Sequence, residues 1–287
     1  MASLRAAFVL GMFLFSAIFV IPYQMLALRF KILGYKKIPK AYQHFLSNLF
    51  GIRVRVIGTP VQDRGVLMVS NHTSYLDILA LGGIAYVSFI AKSEVAGWPL
   101  FGTFARLQRT VFVERERRTK TAQSRDQIRE RLLEGDALVL FPEGTSNDGN
   151  RVLPFKSALM GAAETEVGRD AQGRPIHALV QPVSVTYVAV HGIPMGRENR
   201  PLFAWYGDME LVDHLWEGLV TGPVDVVIEF HPPMTVDQAG GRKRLAALAE
   251  ETVRRGQIRA LAGVVGTPGH PAPPATANSP ELAEAAA

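Results

Sequence analysis

The spacing of hydrophobic positions changes three times along the chain. Residues 6–28 form a run of 23 without a charge, bracketed by Arg5 and Arg29. As helix, such a run would span about 34 Å, enough to cover a hydrocarbon core of about 30 Å. From Pro39 to Phe50 the side chains of Tyr42, Phe45, Leu46, Leu49 and Phe50 recur at helical spacing, with lysines just upstream. That pattern predicts an amphipathic helix whose lysines meet anionic headgroups. Beyond Gly51, short β-branched runs alternate with longer helical stretches, which predicts an α/β domain. Strands are expected at 54–57, 66–70, 87–91, 110–113, 137–141, 180–186 and 224–230. A helix is expected over 119–133, with Ile128, Leu132 and Leu133 facing inward and Gly135 as its stop, and another near 241–255. After Leu261 the chain turns to Gly, Pro, Ala and Thr, which bury too little surface to offset chain entropy and predict a disordered tail. The expected organisation is an N-terminal membrane helix plus basic amphipathic helix over 1–50, one catalytic-sized domain over 51–260 and a tail over 261–287.

Composition narrows this picture. With 287 residues and 48% hydrophobic side chains, the chain can bury a full core, and its length suits one large domain. There is no cysteine, which excludes disulfide scaffolds, thiolate zinc sites and cysteine nucleophiles. The formal charge of +5 is unevenly placed: residues 1–62 carry eight Arg and Lys and no acid, leaving −3 for the rest. The basicity belongs to the N-terminus, as expected of a membrane-proximal segment and not of a nucleic-acid-binding face. If 6–28 crosses a bilayer, the basic cluster after it places the remainder on the cytoplasmic side of the inner membrane. Alternatively Pro22 and Gln24 end the apolar helix near Ile21, leaving a segment that dips into one leaflet beside the second helix. A cleaved signal peptide is disfavoured, because no small-x-small cleavage site follows the run.

Three motifs carry candidate chemistry, each where a predicted strand ends. The first is Asn71-His72-Thr73-Ser74-Tyr75-Leu76-Asp77. On one continuous helix, His72 and Asp77 would point about 140° apart, so a helix must begin between them, with Ser74 as candidate N-cap. His72 then sits on a turn and Asp77 in the first helical turn, where its carboxylate can fix the imidazole tautomer and stabilise the imidazolium. The second is Thr110-Val111-Phe112-Val113-Glu114-Arg115, whose Arg115 could grip a phosphate or carboxylate by two parallel bonds. The third is Phe141-Pro142-Glu143-Gly144-Thr145, after a buried run and followed by Lys156. Gly144 lets backbone approach a ligand, Thr145 offers a hydroxyl and Lys156 adds positive charge. A fourth segment, 180–185, reads as core. In open α/β sheets the carboxyl ends of strands form the ligand crevice, so separated motifs of this kind can converge.

In this order and at these distances, N-H-x4-D, F-V-x-R and F-P-E-G-T resemble the glycerolipid acyltransferase family, over about residues 50–235. The segments Ala91-Lys92-Ser93-Glu94 and Gly97-Trp98-Pro99-Leu100-Phe101-Gly102 are similar as well. The resemblance implies a mixed, largely parallel sheet flanked by helices. It also implies transfer of a fatty acyl group from acyl-CoA or acyl carrier protein to a lysophospholipid hydroxyl, without an acyl-enzyme, metal or cofactor. His72 would be the general base and Asp77 its partner. Arg115 would bind phosphate, and Glu143, Gly144 and Thr145 would belong to the acceptor site. The family's second motif often begins with Gly where this chain has Arg109, so its local turn stands as an open point.

The favoured acceptor at this stage is 1-acylglycerol-3-phosphate, giving phosphatidate, on the strength of Arg115 and Lys156. Another lysolipid such as lyso-ornithine lipid is the alternative, since relatives share these motifs. A non-catalytic membrane-surface binding protein is the third reading. A hydrolase is disfavoured by the lack of a G-x-S-x-G elbow, and a nucleotide-binding enzyme by the lack of either glycine-rich phosphate loop.

Overall fold

Strand β2 (Val66–Ser70) shows why the sheet forms where it does. All five residues are buried, Val66 and Met68 in one apolar layer and Leu67 and Val69 in the other. Alternate side chains of a strand point to opposite faces, so a strand apolar at every position must be covered on both. The computed structural model describes residues 1–32, 34–114, 118–169 and 171–264, with backbone alone at 118–123 and 125. Arg115 and all but the first four residues of the expected tail lie outside the described residues.

In chain order the strands are β1 (Ile52–Ile57), β2, β3 (Val87–Lys92), β4 (Val111–Val113), β5 (Ala137–Leu140), the hairpin of β6 (Glu166–Arg169) and β7 (Pro175–His177), β8 (Leu179–Val190), β9 (Ile193–Pro194) and β10 (Val224–Phe230). The main sheet runs β1-β10-β8-β2-β5-β3-β4, with β9 beside β8. Among the described residues, the pairings of β8 with β10 and β9 are antiparallel in that sheet and the others are parallel. One face is covered by α1 (Ala2–Arg29), α2 (Lys37–Phe50), α3 (Leu76–Ile84), α4 (Phe101–Leu107) and α6 (Leu211–Thr221). The other is covered by α5 (Arg118–Leu133), α7 (Val236–Ala239) and α8 (Arg242–Leu261). This is the mixed, largely parallel sheet flanked by helices that the sequence predicts.

Three local expectations are corrected. Leu133 is exposed, while Ile128 and Leu132 are buried; at i and i+4 those two share a stripe, and the next residue turns about 100° away from it. Pro22 does not end the first helix, which runs on to Arg29. Its buried stripe of Ala6, Val9, Phe13, Ala17, Gln24 and Ala27 lies on the domain, and its ends are tied there. Arg5 Nη1 donates to Leu219 O at 2.8 Å and Gln24 Nε2 to Leu107 O at 3.2 Å. Phe8, Phe15, Ile18, Phe19 and Leu26 face outward. In α2, Tyr42, Leu46 and Phe50 are buried, so most of the amphipathic stripe packs against the molecule itself, and Phe45 points away.

Candidate active site

Asn71 follows strand β2 directly, and its side chain continues the ladder. Its Nδ2 donates to Val185 O at 2.8 Å and its Oδ1 accepts from Val185 N at 2.9 Å. The backbone is thereby freed to turn at His72 while staying anchored to β8. Helix α3 begins at Leu76, with Tyr75 rather than Ser74 at the N-cap. The turn is held by Asp77 itself, whose Oδ2 accepts from Thr73 N at 2.8 Å and Ser74 N at 3.0 Å. A carboxylate in the first turn also faces the positive end of the helix dipole.

The same Oδ2 lies 2.8 Å from His72 Nδ1, and Oδ1 accepts from Tyr187 Oη at 2.8 Å. Four donors therefore converge on a carboxylate with 0% exposure, the arrangement a buried charge requires. With Nδ1 engaged, Nε2 is the nitrogen that can take a proton from an incoming hydroxyl. The imidazole stacks on Phe141 with centroids 4.0 Å apart and planes 15° apart, which fixes its orientation. Burial and the adjacent Asp77 charge push the Tyr187 phenol well above its ordinary range, so it stays a donor.

Glu143 is brought to His72 by the parallel pairing of β2 and β5, in which Val69 lies opposite Leu140. It does not face outward. Its Oε1 accepts from His72 N at 3.2 Å and its Oε2 from Asn147 Nδ2 at 2.7 Å, at 1% exposure. Asn147 in turn donates from its backbone N to His72 O at 3.2 Å. Glu143 thus ties the two loops together. Burial pushes its carboxyl up to about 8, against the hydrogen bonds from Asn147, His72 and Leu153 that favour the charged form. Gly144 takes φ +76 on the turn, Thr145 is exposed beside it, and Lys156 is exposed where its backbone N donates to Pro142 O at 2.9 Å. The first and third motifs are therefore brought together. The second enters only through β4, on the sheet edge beyond β3, since Arg115 is outside the described residues.

Arg109 resolves the open point in that motif. It adopts φ +63, the left-handed conformation a glycine takes without strain. Its guanidinium pairs with Glu134 and Asp136, each at 3.1 Å, and its carbonyl accepts from Arg131 Nη1 at 2.6 Å. The turn is kept and the strain is offset by ion pairs.

Beside the pair lies an apolar chamber of about 160 Å³ between α1, α2, α3, β3 and α4, lined by Phe13, Tyr42, Leu46, Tyr75, Phe89 and Trp98 among others. Tyr75 is three residues from His72, and Phe89 stacks on Phe141 at 6.2 Å. The chamber wall is therefore linked to the imidazole through Phe141, while His72 and Asp77 are not themselves among the residues that line it. Tyr187, Asn147 and the chamber were not foreseen. Tyr187 sits in an apolar run 110 residues beyond Asp77, and no local pattern marks it.

A family model described as Acyltransferase matches residues 53–186. The chain is 48% identical to a lyso-ornithine lipid O-acyltransferase of Brucella abortus (strain 2308), over 85% of this chain and 90% of that protein. It is 30% identical to a 1-acyl-sn-glycerol-3-phosphate acyltransferase of Neisseria gonorrhoeae, over 68% of this chain and 70% of that one. In fold it is similar to the crystal structure of the 1-acyl-sn-glycerophosphate acyltransferase PlsC from Thermotoga maritima, with a TM-score of 0.61, 24% identity, and coverage of 90% of this chain and 97% of that one. With a matching domain and a relative aligned over nearly its whole length, the chain belongs to the glycerolipid acyltransferase family, enzymes that move an acyl group onto a lysolipid.

Proposed function

We propose that this enzyme esterifies the free hydroxyl of a lyso-ornithine lipid, with His72 as general base and Asp77 as its partner. The observation that carries the chemistry is the His72 Nδ1 to Asp77 Oδ2 contact of 2.8 Å beside an apolar chamber. His72 Nε2 takes the acceptor proton as the oxygen attacks the carbonyl of an acyl thioester, from acyl-CoA or acyl carrier protein. The tetrahedral intermediate then collapses, the C–S bond breaks, and the imidazolium returns the proton to the departing thiolate. Asp77 stabilises the imidazolium in between. An acyl chain occupies the chamber. Thr145, Gly144 and Lys156 bind the acceptor headgroup, Arg115 is assigned to the same headgroup by its place in the second motif alone, and Glu143 supports the site by fixing the loop rather than by contact.

The choice of acceptor moves away from phosphatidate formation. It rests on the 48% identity to a lyso-ornithine lipid O-acyltransferase, against 30% over a shorter span to a 1-acyl-sn-glycerol-3-phosphate acyltransferase. The second reading, acylation of 1-acylglycerol-3-phosphate, is favoured by the exposed Lys156 beside the Gly144 turn, a point charge suited to phosphate. Equal amounts of the two lysolipids offered to purified enzyme with acyl-CoA or acyl carrier protein decide between them by product mass. Ornithine lipid is the expected product; phosphatidate as the main product would reverse the assignment.

The outward apolar face of α1, together with the basic cluster around it, supports membrane association. Because both ends of α1 are bonded to the domain, we read α1 and α2 as a pair lying in one leaflet, with the site at the cytoplasmic face of the inner membrane.

A further inference from the structure

The residues that line the chamber are mostly apolar. Gln24 and Gln108 both line it, and they are 2% and 8% exposed. Gln24 Nε2 donates to Tyr35 O at 3.1 Å and Leu107 O at 3.2 Å. Both partners are carbonyls, so the amide nitrogen must face them, and Oε1 is left without a partner. Gln108 follows Leu107 and is anchored through its backbone: its N donates to Phe104 O at 2.9 Å and its O accepts from Ser88 Oγ at 2.9 Å. Its Nε2 likewise has no partner. One neighbouring amide therefore offers a buried acceptor and the other a buried donor, and they do not bond each other. An unmatched buried polar atom is costly, and a hydroxyl, which donates and accepts at once, satisfies both. Gln43 also lines the chamber, but its unpartnered Oε1 lies so close to Gly82 that a Cβ there would come within 1.5 Å. It is committed to the α2–α3 contact.

The sheet register places these two amides away from the imidazole. Ser88, which holds Gln108, pairs with Leu138, and Leu138 pairs with Leu67. His72 lies five residues further along the chain from Leu67, beyond the end of β2, at most about 16 Å if the backbone were extended throughout. A chain that reacts at His72 and fills the chamber reaches the two glutamines with its distal part.

We propose that the chamber is a binding site for a fatty acyl chain bearing a hydroxyl remote from its carbonyl, held between Gln24 Oε1 and Gln108 Nε2. This rests on the reading that an acyl chain occupies the chamber. The chain can belong to the thioester donor or to the lysolipid acceptor, and the test separates the two. In one arm, hexadecanoyl-CoA and hexadecanoyl-CoA carrying a hydroxyl at successive distal carbons compete for one plain lyso-ornithine lipid. In the other, lyso-ornithine lipids with and without a distal hydroxyl compete for hexadecanoyl-CoA. The expected result is a kcat/KM about tenfold or more higher for one hydroxylated isomer in one arm, since a site built to bond a hydroxyl rejects the analogue lacking it. In Gln108→Leu that ratio falls to one or below, because the apolar floor now suits the plain chain. Gln24→Met gives a second variant should the first fold poorly. A ratio of one or below in both arms at every hydroxyl position, as a fixed water bridging the amides would give, overturns the proposal. So does a preference that neither substitution changes. Transfer of the plain chain without discrimination sinks only this inference, whereas no transfer of any chain sinks the acyl-transfer reading beneath it.

Discussion

The Asp77 carboxylate holds the loop as well as the imidazole, because the Thr73 and Ser74 amides and the Tyr187 hydroxyl share it with His72. Different substitutions should therefore separate its two duties. Asp77→Ala leaves several buried donors unmatched and should cost about 3–5 kcal/mol of stability. Asp77→Asn keeps an acceptor oxygen for the amides but no charge for the imidazolium, and should lower kcat by about 10²–10⁴ with a smaller stability loss. Denaturant melts beside initial rates check this; equal stability losses for the two variants would contradict it. Tyr187→Phe removes one donor from the buried carboxylate and should cost about 1–3 kcal/mol in the same melts. Glu143 makes a pH prediction. Burial raises its carboxyl from 4.5 to about 8, so between those values the folded state holds more protons than the unfolded one. Stability then falls as pH rises through that window and levels off above it. Glu143→Gln should flatten this slope, while placing an amide N–H against the His72 or Asn147 donor. Unfolding curves at a series of pH values test it, and an unchanged slope would contradict the role given to burial. Tyr187 was not legible in the sequence because its partner is met only through the β2–β8 pairing. His72 and Asp77 were legible because five residues across a strand-to-helix turn are a local relation.

Among the elements, the seven expected strands were read to within a residue or two at most ends, since short apolar runs closed by Gly, Pro or charge mark their own limits, whereas β6, β7 and β9, which lack such runs, were not foreseen. The β8 strand runs longer than expected, to Val190, because its second half pairs with β10 beyond the end of β2. Helix α1 was legible as helix but not as part of the fold. A run of apolar residues carries no sign of which stripe meets protein and which meets lipid, and Arg5 and Gln24 find their partners on α2, α6 and at the end of α4. If α1 were a separate anchor, deleting residues 1–32 would release a soluble, folded domain. The packing of Phe13 against Phe50 and Phe104 predicts the opposite: the shortened chain aggregates, as scored by sedimentation and circular dichroism. A monomeric, folded and active product would contradict the packing. The β3–β4 connection gives a milder case. Arg109→Gly relieves a positive φ worth about 1 kcal/mol but removes the ion pairs to Glu134 and Asp136. The two effects should nearly cancel in a thermal melt.

For the whole molecule, the decisive feature is that β2 and β5 are parallel neighbours ending on the same side, so two motifs some 70 residues apart share one loop cluster. The chamber lies on the face of the sheet that carries α1 and α2. On the proposed reading, with α1 and α2 in one leaflet, an acyl chain would reach the imidazole without its apolar length crossing water. Fold class followed from the alternation of strand and helix patterns, whereas the acceptor did not, because exposed loop residues such as Thr145 and Lys156, proposed to meet its headgroup, leave no periodic trace. The most direct test is acyl transfer to lyso-ornithine lipid by wild type and by His72→Ala, both reconstituted in the same liposomes and both shown to be folded. The account predicts ornithine lipid from the wild type and a rate at least about 10²-fold lower from the variant. A folded His72→Ala enzyme that turns over at near the wild-type rate would contradict it.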